Sequence, residues 1–178
     1  MILSNDGIVE ALSTNEFEMQ PALDLQNLRE VGIRVHLGSE LLIPALGKTV
    51  DLGAKEAVEY QSYNLDLHAY TLAPGAFVLA TLREKFKVNG PLIPILDGRS
   101  TLARLGITIH NSASLLDGCF DNWITPVLEI HNNGGFQIIL RSDLAVAMVY
   151  FARLSSKISP PTEKSPYAGD GKGIAPRF

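Results

Sequence analysis

Short apolar runs, many of them rich in β-branched and aromatic residues, follow one another along most of the chain and are separated by turn residues. Such runs predict β-strands, because these side chains pack well on a pleated sheet while Gly, Pro, Asn and Asp interrupt it. The predicted strands are residues 32–37, 41–43, 63–72, 76–82, 92–96, 107–110, 124–130, 136–140 and 145–154. Many short strands predict a mainly β fold, namely a sandwich, a jelly roll or a small barrel.

Helical periodicity is scarce by comparison. Ser4 is suited to cap a short helix that carries Ile8, Val9 and Leu12 on one side. We expect this helix to end by Thr14, because the apolar periodicity stops there.

The length of 178 residues fits one domain with a single core, which we expect to span residues 1–156. From residue 157 to residue 178 the composition shifts to Ser, Pro, Gly and Lys with few apolar side chains. Such a segment cannot support packing of its own, so we expect a mobile C-terminal tail.

Charge and composition narrow the class of function. The formal net charge of −4 and the sequence pI of about 5.5 disfavour a sequence-independent nucleic-acid binder, which needs many cations to contact phosphates. A small anionic ligand is compatible with this charge. No apolar run is long enough to span a bilayer and no signal peptide is recognisable, so we expect a soluble, cytoplasmic protein without membrane partners.

The segment Asn132-Asn133-Gly134-Gly135 lies between two predicted strands and supplies residues that tolerate positive φ. It favours a hairpin over residues 124–140, with Glu129 on the first strand. Because side chains alternate along a strand, two faces are expected: Val127, Glu129 and His131 on one, and Leu128, Ile130 and Asn132 on the other.

Glu129 is the residue that fits the apolar pattern least, since it is a carboxylate between Leu128 and Ile130. A charge there either faces solvent or has a partner, because burying it alone costs several kcal/mol or drives protonation. Beside Arg104 it would stay ionised and could take a proton from water. The alternative is a solvent-facing glutamate on an amphipathic strand.

The segment 97–106 reads DGRSTLARLG and predicts an anion-binding loop. Arg99, Ser100 and Thr101 lie at the start of a short helix predicted over residues 101–105, where unpaired backbone N–H groups favour negative charge. The two hydroxyl groups and the guanidinium add donors for phosphate oxygens.

Ser100 and Arg104 are four residues apart, so one ligand or water could contact both. The alternative is that Ser100 only caps the helix and that Arg104 is a solvated side chain. Asp117 is either a turn residue that accepts backbone hydrogen bonds or a ligand for a sugar hydroxyl or a water. Phe120 could provide a flat wall for a deoxyribose, although core packing is the default expectation.

Metal ligands are few. The chain has one cysteine, Cys119, which excludes an intrachain disulfide and a multi-cysteine zinc cluster. The four histidines have no Cys-x-x-Cys partner of the kind that zinc deaminases use, so we assign each a structural role and predict no zinc.

The segment 97–106, followed by Asp117 and by Glu129 within Val127-Leu128-Glu129-Ile130, resembles the signature of the dCTP deaminase family. This family is a branch of the dUTPase superfamily. Further similarity is found in the segments 1–4, 31–38, 72–81, 107–113 and 167–169. The central motif is specific, whereas the flanking segments are weak individually.

The resemblance implies a distorted jelly-roll homotrimer with three active sites between subunits. It also implies a substrate, dCTP or dUTP, whose triphosphate carries Mg²⁺, with no ligand to that metal predicted from the protein. The tail from residue 157 to residue 178 would fold over the nucleotide.

Site roles also follow from the resemblance. Glu129 matches the catalytic glutamate that activates the water attacking cytosine C4, Ser100 and the backbone of Ala113 match the groups that hold this water, and Arg104 matches the arginine beside the glutamate. The expected substrate contacts are made by Arg99, Thr101, Asp117, Phe120, Lys164, Tyr167 and Lys172, with Asp117 near the deoxyribose 3′-hydroxyl.

The chain departs from the family pattern at several positions, two of which lie near the candidate site residues. Arg34-Val35-His36 stands where the family usually has Asp-Leu-Arg, and the stretch from Asp117 to Glu129 is about two residues longer than usual. The first functional hypothesis is hydrolytic deamination of dCTP to dUTP. The alternatives are a bifunctional enzyme that also releases pyrophosphate, a dUTP diphosphatase, and a non-catalytic nucleotide-binding regulatory trimer.

Overall fold

The computed structural model describes residues 1–54, 56–158 and 175–176. Its helices are α1 (Asn5–Ser13) and α2 (Ser100–Ala103), and single 3-10 turns lie at Leu25–Asn27 and Asp117–Cys119. The strands are β1 (Phe17–Gln20), β2 (Leu28–Arg29), β3 (Gly32–Pro44), β4 (Tyr60–Asn64), β5 (Tyr70–Leu72), β6 (Phe77–Leu82), β7 (Lys85–Val88), β8 (Leu92–Gly98), β9 (Ile107–Thr108), β10 (Val127–Asn132), β11 (Ile138–Leu140) and β12 (Ala145–Arg153).

The main sheet is antiparallel and has the strand order β8-β12-β3-β6-β10-β9, with β2 and β4 also pairing with β3. Two small antiparallel pairs, β1 with β7 and β11 with β5, lie beside it. The architecture confirms the mainly β fold predicted from the short apolar runs. No helix in the part of the chain that the structure describes is long and apolar enough to cross a membrane.

Strand β3 connects the two halves of the main sheet. Its first half pairs with β2 and β12, its second half pairs with β4 and β6, and the register to β6 shifts between Leu37 and Leu41. Gly38 lies at this shift, where an added Cβ would be 2.7 Å from Thr81 Oγ1 and 3.0 Å from the Leu82 carbonyl oxygen. The two strands predicted over residues 32–37 and 41–43 are therefore one strand that bends at a glycine.

The core fills the space between the sheet layers. Phe17 stacks on Phe151 with ring centroids 4.2 Å apart, and Phe86 packs against the same ring. Helix α1 covers one end of this core with Ile8 and Ala11. Its N-terminus is capped as predicted, because the Ser4 side chain accepts a hydrogen bond from the Gly7 N–H at 3.3 Å.

The hairpin predicted over residues 124–140 is wrong. Both edges of β10 are already occupied, by β6 on one side and by β9 on the other, so β11 pairs with β5 instead. The buried Asn132 amide donates to the carbonyl oxygens of Leu72 and Phe136. These bonds hold the segment after β10 next to β5, so the segment does not turn back to pair with β10. The predicted faces of β10 are confirmed, since Leu128, Ile130 and Asn132 are buried and the alternate residues are half-buried.

Other boundaries also differ from the prediction. The strand predicted over residues 63–72 is divided into β4 and β5, because Asn64 starts a turn in which its side chain accepts from the Asp66 N–H. The second helix spans Ser100–Ala103 rather than residues 101–105. Strands β1 and β7 were not predicted, since FEMQ and KFKV alternate apolar and charged or polar residues over only four positions each, which is too short to stand out as an apolar run.

A buried carboxylate forms a polar network that the sequence did not indicate. Glu84 is 2 % exposed and accepts hydrogen bonds from the His36 backbone N–H, from His36 Nδ1 and from Arg83 Nη2, each at 2.8 Å. Arg83 Nη1 also contacts Asp143 Oδ1 at 2.8 Å. Glu84 is therefore fully partnered, as a buried charge must be.

We expect Glu84→Ala to lower the free energy of unfolding by about 2 kcal/mol, because the His36 groups lose their acceptor away from water. Urea denaturation measures this change. The control is Glu59→Ala, whose carboxylate is 75 % exposed and pairs with Lys48 among the residues that the structure describes, and which should change stability by less than about 0.5 kcal/mol. Equal stability of the two variants would contradict a structural role for the network.

Cys119 lies in the core and its thiol donates to the Leu116 carbonyl oxygen. Burial raises the pKa of the Cys119 thiol to about 12, so the neutral thiol persists at mildly alkaline pH. We expect iodoacetamide at pH 8 to modify the native protein at least about a hundredfold more slowly than the urea-unfolded protein. Mass spectrometry measures the rate of alkylation at Cys119 directly, because Cys119 is the single cysteine of the chain. Equal rates for the native and the unfolded protein would contradict its burial.

Candidate active site

Glu129 lies in the middle of β10, on the half-buried face, opposite Leu79 of β6. Its backbone N–H donates to the Ile109 carbonyl oxygen at 2.9 Å. Its carboxylate oxygen Oε2 accepts a hydrogen bond from the Asn111 backbone N–H at 2.9 Å. Oε1 accepts no hydrogen bond from any described residue, so one oxygen is fixed while the other can contact a water or a ligand.

The surface around Glu129 is apolar. Leu42 and Leu79 form a small hydrophobic cluster on the same side of the sheet, apart from the main core. The partly buried residues packed against this cluster are Tyr60, Phe77, Val127 and Ala175. Ala175 belongs to the C-terminal tail, so at least one tail residue packs beside the strand that carries Glu129.

Helix α2 presents the hydroxyl and guanidinium groups of the signature segment. Its N-cap is Arg99, whose carbonyl oxygen accepts from the N–H groups of Leu102 and Ala103. The alternative that Ser100 serves only as the N-cap is therefore wrong. The Arg104 N–H donates to the Ser100 carbonyl oxygen at 3.0 Å, which places these two residues one helical turn apart, as predicted.

The turn after α2 is attached to the end of β10 by a close backbone contact. Gly106 has a φ of +81°, and an added Cβ would lie 2.5 Å from the Gly134 Cα atom. The Asn133 N–H donates to the Gly106 carbonyl oxygen at 2.8 Å. The contact holds the segment from α2 to β9 against the strand that bears Glu129.

Arg99 lies in a cationic environment. Its Nη1 donates to the Ala145 carbonyl oxygen. Burial lowers the pKa of the Arg99 guanidinium, and the positive charges of Arg34 and Arg29 lower it further. No described carboxylate forms an ion pair with any of these three arginines. Repulsion between these three positive charges favours the binding of an anion close to them.

The loop between β9 and β10 carries the remaining candidates. Ala113 and Asp117 are exposed, and Asp117 begins a 3-10 turn without making a side-chain capping bond. The carboxylate of Asp117 accepts no hydrogen bond within the described residues, which removes the proposed turn-stabilising role. Phe120 packs against the main core, in agreement with the default expectation for that residue.

Glu129 is not paired directly with the other predicted catalytic groups. No hydrogen bond or ion pair joins Glu129 to Ser100, Arg104 or Ala113 among the described residues of one subunit. Its observed partner, the Asn111 N–H, was missed because a backbone donor leaves no signal in the sequence. Lys164, Tyr167 and Lys172 lie outside the described residues.

The described residues contain no cluster of three or more His, Cys, Asp or Glu side chains that could hold a metal ion. His110 Nε2 lies 3.4 Å from Asp97 Oδ1, which is a pair rather than a ligand set. The charged groups that act on Arg99 are cations, whereas Mg²⁺ requires oxygen ligands, so a magnesium ion there would depend on the phosphate oxygens of a bound nucleotide.

Comparisons with known proteins identify the family of this chain. The chain is 29 % identical over 175 residues to a dCTP deaminase of Idiomarina loihiensis, covering 92 % of this chain and 89 % of the relative. It is 29 % identical over 170 residues to a dUMP-forming dCTP deaminase of Halobacterium salinarum, covering 90 % and 85 %.

The fold is similar to that of the crystal structure of 2′-deoxycytidine 5′-triphosphate deaminase from Agrobacterium tumefaciens, with a TM-score of 0.61 at 18 % identity. The match covers 84 % of this chain and 47 % of that structure, so this chain spans about half its length. The family model described as dCTP deaminase-like matches residues 2–154. The chain therefore belongs to the dCTP deaminase-like family.

Proposed function

We propose that the protein is a cytoplasmic enzyme that hydrolyses dCTP to dUTP and ammonia. The observation that carries this proposal is the geometry of Glu129. One carboxylate oxygen is fixed by the Asn111 N–H, the other is available, and the surrounding sheet surface is apolar enough to receive a pyrimidine base. The names of the relatives support the choice of substrate.

The proposed chemistry is addition of water followed by loss of ammonia. Glu129 takes one proton from the water while the water oxygen adds to cytosine C4, and it passes this proton to the ring nitrogen N3, giving a tetrahedral intermediate. Glu129 then transfers the proton of the C4 hydroxyl group to the amino group, the bond from C4 to the amino nitrogen breaks, ammonia leaves, and the C4 carbonyl of uracil forms. The hydroxyl group of Ser100 and the backbone of Ala113 hold the water, and Arg104 keeps the glutamate ionised before the reaction.

The rest of the nucleotide would extend toward the cationic groups. Arg99 and Thr101 contact phosphates, and Asp117 accepts a hydrogen bond from the deoxyribose 3′-hydroxyl. The tail residues Lys164, Tyr167 and Lys172 add contacts when the tail closes over the ligand. The packing of Ala175 beside β10 supports such a closure. Mg²⁺ carried by the triphosphate would neutralise part of its charge.

A second activity is favoured by one observation. The Asp117 carboxylate is exposed and makes no side-chain capping bond, so it could also position a water for attack on the phosphate chain. The Halobacterium relative is named as dUMP-forming. Analysis of products after incubation with dCTP and Mg²⁺ decides between the functions. Ammonia without pyrophosphate indicates deamination alone, both products indicate a bifunctional enzyme, and neither indicates a nucleotide-binding protein.

The assembly that we propose is a homotrimer with active sites between subunits. The described residues of one subunit leave Ser100, Arg104 and Asp117 exposed and without direct bonds to Glu129. A neighbouring subunit would bring complementary groups to them and would enclose a nucleotide that a single sheet surface leaves open.

Glu129→Gln keeps the size of the side chain but cannot accept the proton from water. We expect the rate of ammonia release from dCTP to fall by at least about a hundredfold while dCTP binding is retained. The control is Glu40→Gln, an exposed glutamate on β3, which should deaminate at the wild-type rate. A wild-type rate for Glu129→Gln would mean that another group is the base.

Sedimentation equilibrium at micromolar concentration should give about three times the subunit mass of 19.3 kDa. The physical reason is that the exposed site residues require a second subunit to enclose a ligand. A monomer at this concentration, in a preparation that deaminates dCTP, would contradict the inter-subunit site while leaving the activity in place.

A further inference from the structure

Arg34 occupies an unusual position in β3. It lies half-buried on the strand, opposite Met148 of β12. Its Nε atom is shielded from solvent and has no hydrogen-bond partner among the described residues. Leaving a shielded N–H donor without an acceptor costs free energy, so we expect Arg34 Nε to donate a hydrogen bond to a ligand.

The side chain of Arg34 lines a cavity of about 550 Å³ next to the Glu84 network. Three carboxylates also line this cavity, and each already has a partner. Glu84 is bonded to His36 and Arg83, Asp143 to Arg83, and Asp24 to the Gln26 N–H. Arg34 is therefore the basic residue of the cavity wall that forms no ion pair with a carboxylate in the described part of the chain.

Two further arginines lie close to Arg34. Arg99 bonds to the carbonyl oxygen of Ala145, and Ala145 lies opposite His36 on β3, two residues from Arg34. Arg29 is on β2, beside Gly32 at the start of β3. These three arginines, which we call the arginine cluster, form no ion pair with any described carboxylate, although the chain has a net charge of −4.

Guanidinium groups that form no ion pair with a described carboxylate can bind a ligand that carries several negative charges. Guanidinium donors match pairs of phosphate oxygens in a planar, bidentate geometry. Because the positive charges of Arg34 and Arg29 act on Arg99, an anion bound at Arg99 would also be attracted to Arg34 and Arg29. A polyphosphate chain has the charge and the length for such a surface, whereas a single phosphate would satisfy only part of it.

We propose that Arg34 and Arg29, together with Arg99, form a polyphosphate-binding surface in which protein cations neutralise charge that a divalent cation would otherwise carry. Arg34 is then a specificity-determining residue that favours nucleoside triphosphates over monophosphates. This inference rests on the proposed function for the identity of the nucleotide. Anion binding by the cluster can be measured without catalysis.

The experiment is calorimetric titration of the full chain with tripolyphosphate, pyrophosphate and inorganic phosphate, in EDTA and in Mg²⁺. The variants are Arg34→Gln, Arg34→Lys, Arg34→Asp and Arg29→Gln. The matched control is Arg141→Gln, an exposed arginine that forms no ion pair within the described residues. The melting temperature of each variant shows whether it folds. Arg29 is exposed on β2 and does not line the cavity, so Arg29→Gln removes one cation of the cluster without altering the cavity.

We expect wild-type protein to bind tripolyphosphate in EDTA and to bind inorganic phosphate at least about tenfold more weakly. Arg34→Gln should weaken tripolyphosphate binding by about tenfold or more, because a charge-assisted bond is lost, and Arg29→Gln should act in the same direction. Arg34→Lys should retain most of the affinity, and Arg141→Gln should change it less than twofold. Arg34→Asp should bind only when Mg²⁺ is present, since a carboxylate repels phosphate but attracts the metal.

The inference would be overturned if Arg34→Gln and Arg29→Gln both bound tripolyphosphate as tightly as the unmodified protein. It would also be overturned if the unmodified protein bound tripolyphosphate only in the presence of Mg²⁺. Ammonia release from dCTP is measured on the same preparations. Tripolyphosphate binding without ammonia release would contradict the proposed function and leave the arginine cluster intact. Ammonia release with no effect of the Arg34 variants on binding would contradict the cluster alone.

Discussion

The hydrogen-bond register of β10 is the constraint on which the candidate active site depends. Side chains alternate along a strand, so a slip of one residue would bury Glu129 and expose Leu128 or Ile130. The register is fixed on both edges, by β6 opposite Glu129 and by β9 opposite His131. Burial of alternate residues adds a free-energy penalty against any slip, and the Asn111 N–H then orients the carboxylate.

The sequence predicted features that depend on local patterns. The mainly β class, the capped first helix, most strand cores and the faces of β10 follow from apolar alternation and from Ser4. The pairing of β10 could not be predicted, because the Asn-Asn-Gly-Gly segment resembles a hairpin turn while distant strands compete for the same edges. Propensity indicates that a strand exists, but only the complete sheet determines its neighbours.

The candidate site also has features that follow from local sequence and features that depend on the complete sheet. Residue types and spacing make Glu129, Ser100, Arg99 and Asp117 candidates, and the family resemblance gives them roles that stay predictions. The backbone donor of Asn111 has no sequence signature, and the grouping of Arg34 with Arg99 depends on β12 lying between β3 and β8. Charges that are far apart in the sequence meet only through sheet topology. This chain thus combines a family signature with a charge distribution of its own.

The anchoring of β10 has a consequence for variation in chain length. Strand β10 begins at Val127, and the 3-10 turn that contains Asp117 ends at Cys119, so residues 120–126 form a connection outside the main sheet. The family resemblance predicts about two additional residues between Asp117 and Glu129. Phe120 and Ile124 in this connection form backbone bridges to β7, so residues 121–123 are the part where a change of length would leave the paired strand in place. An insertion in this connection would change the edge of the candidate active site and would leave Glu129 and strand β10 in place. Alignments of distant members should therefore place gaps in this connection, and loop exchange there is a route to altered substrate preference within a constant scaffold.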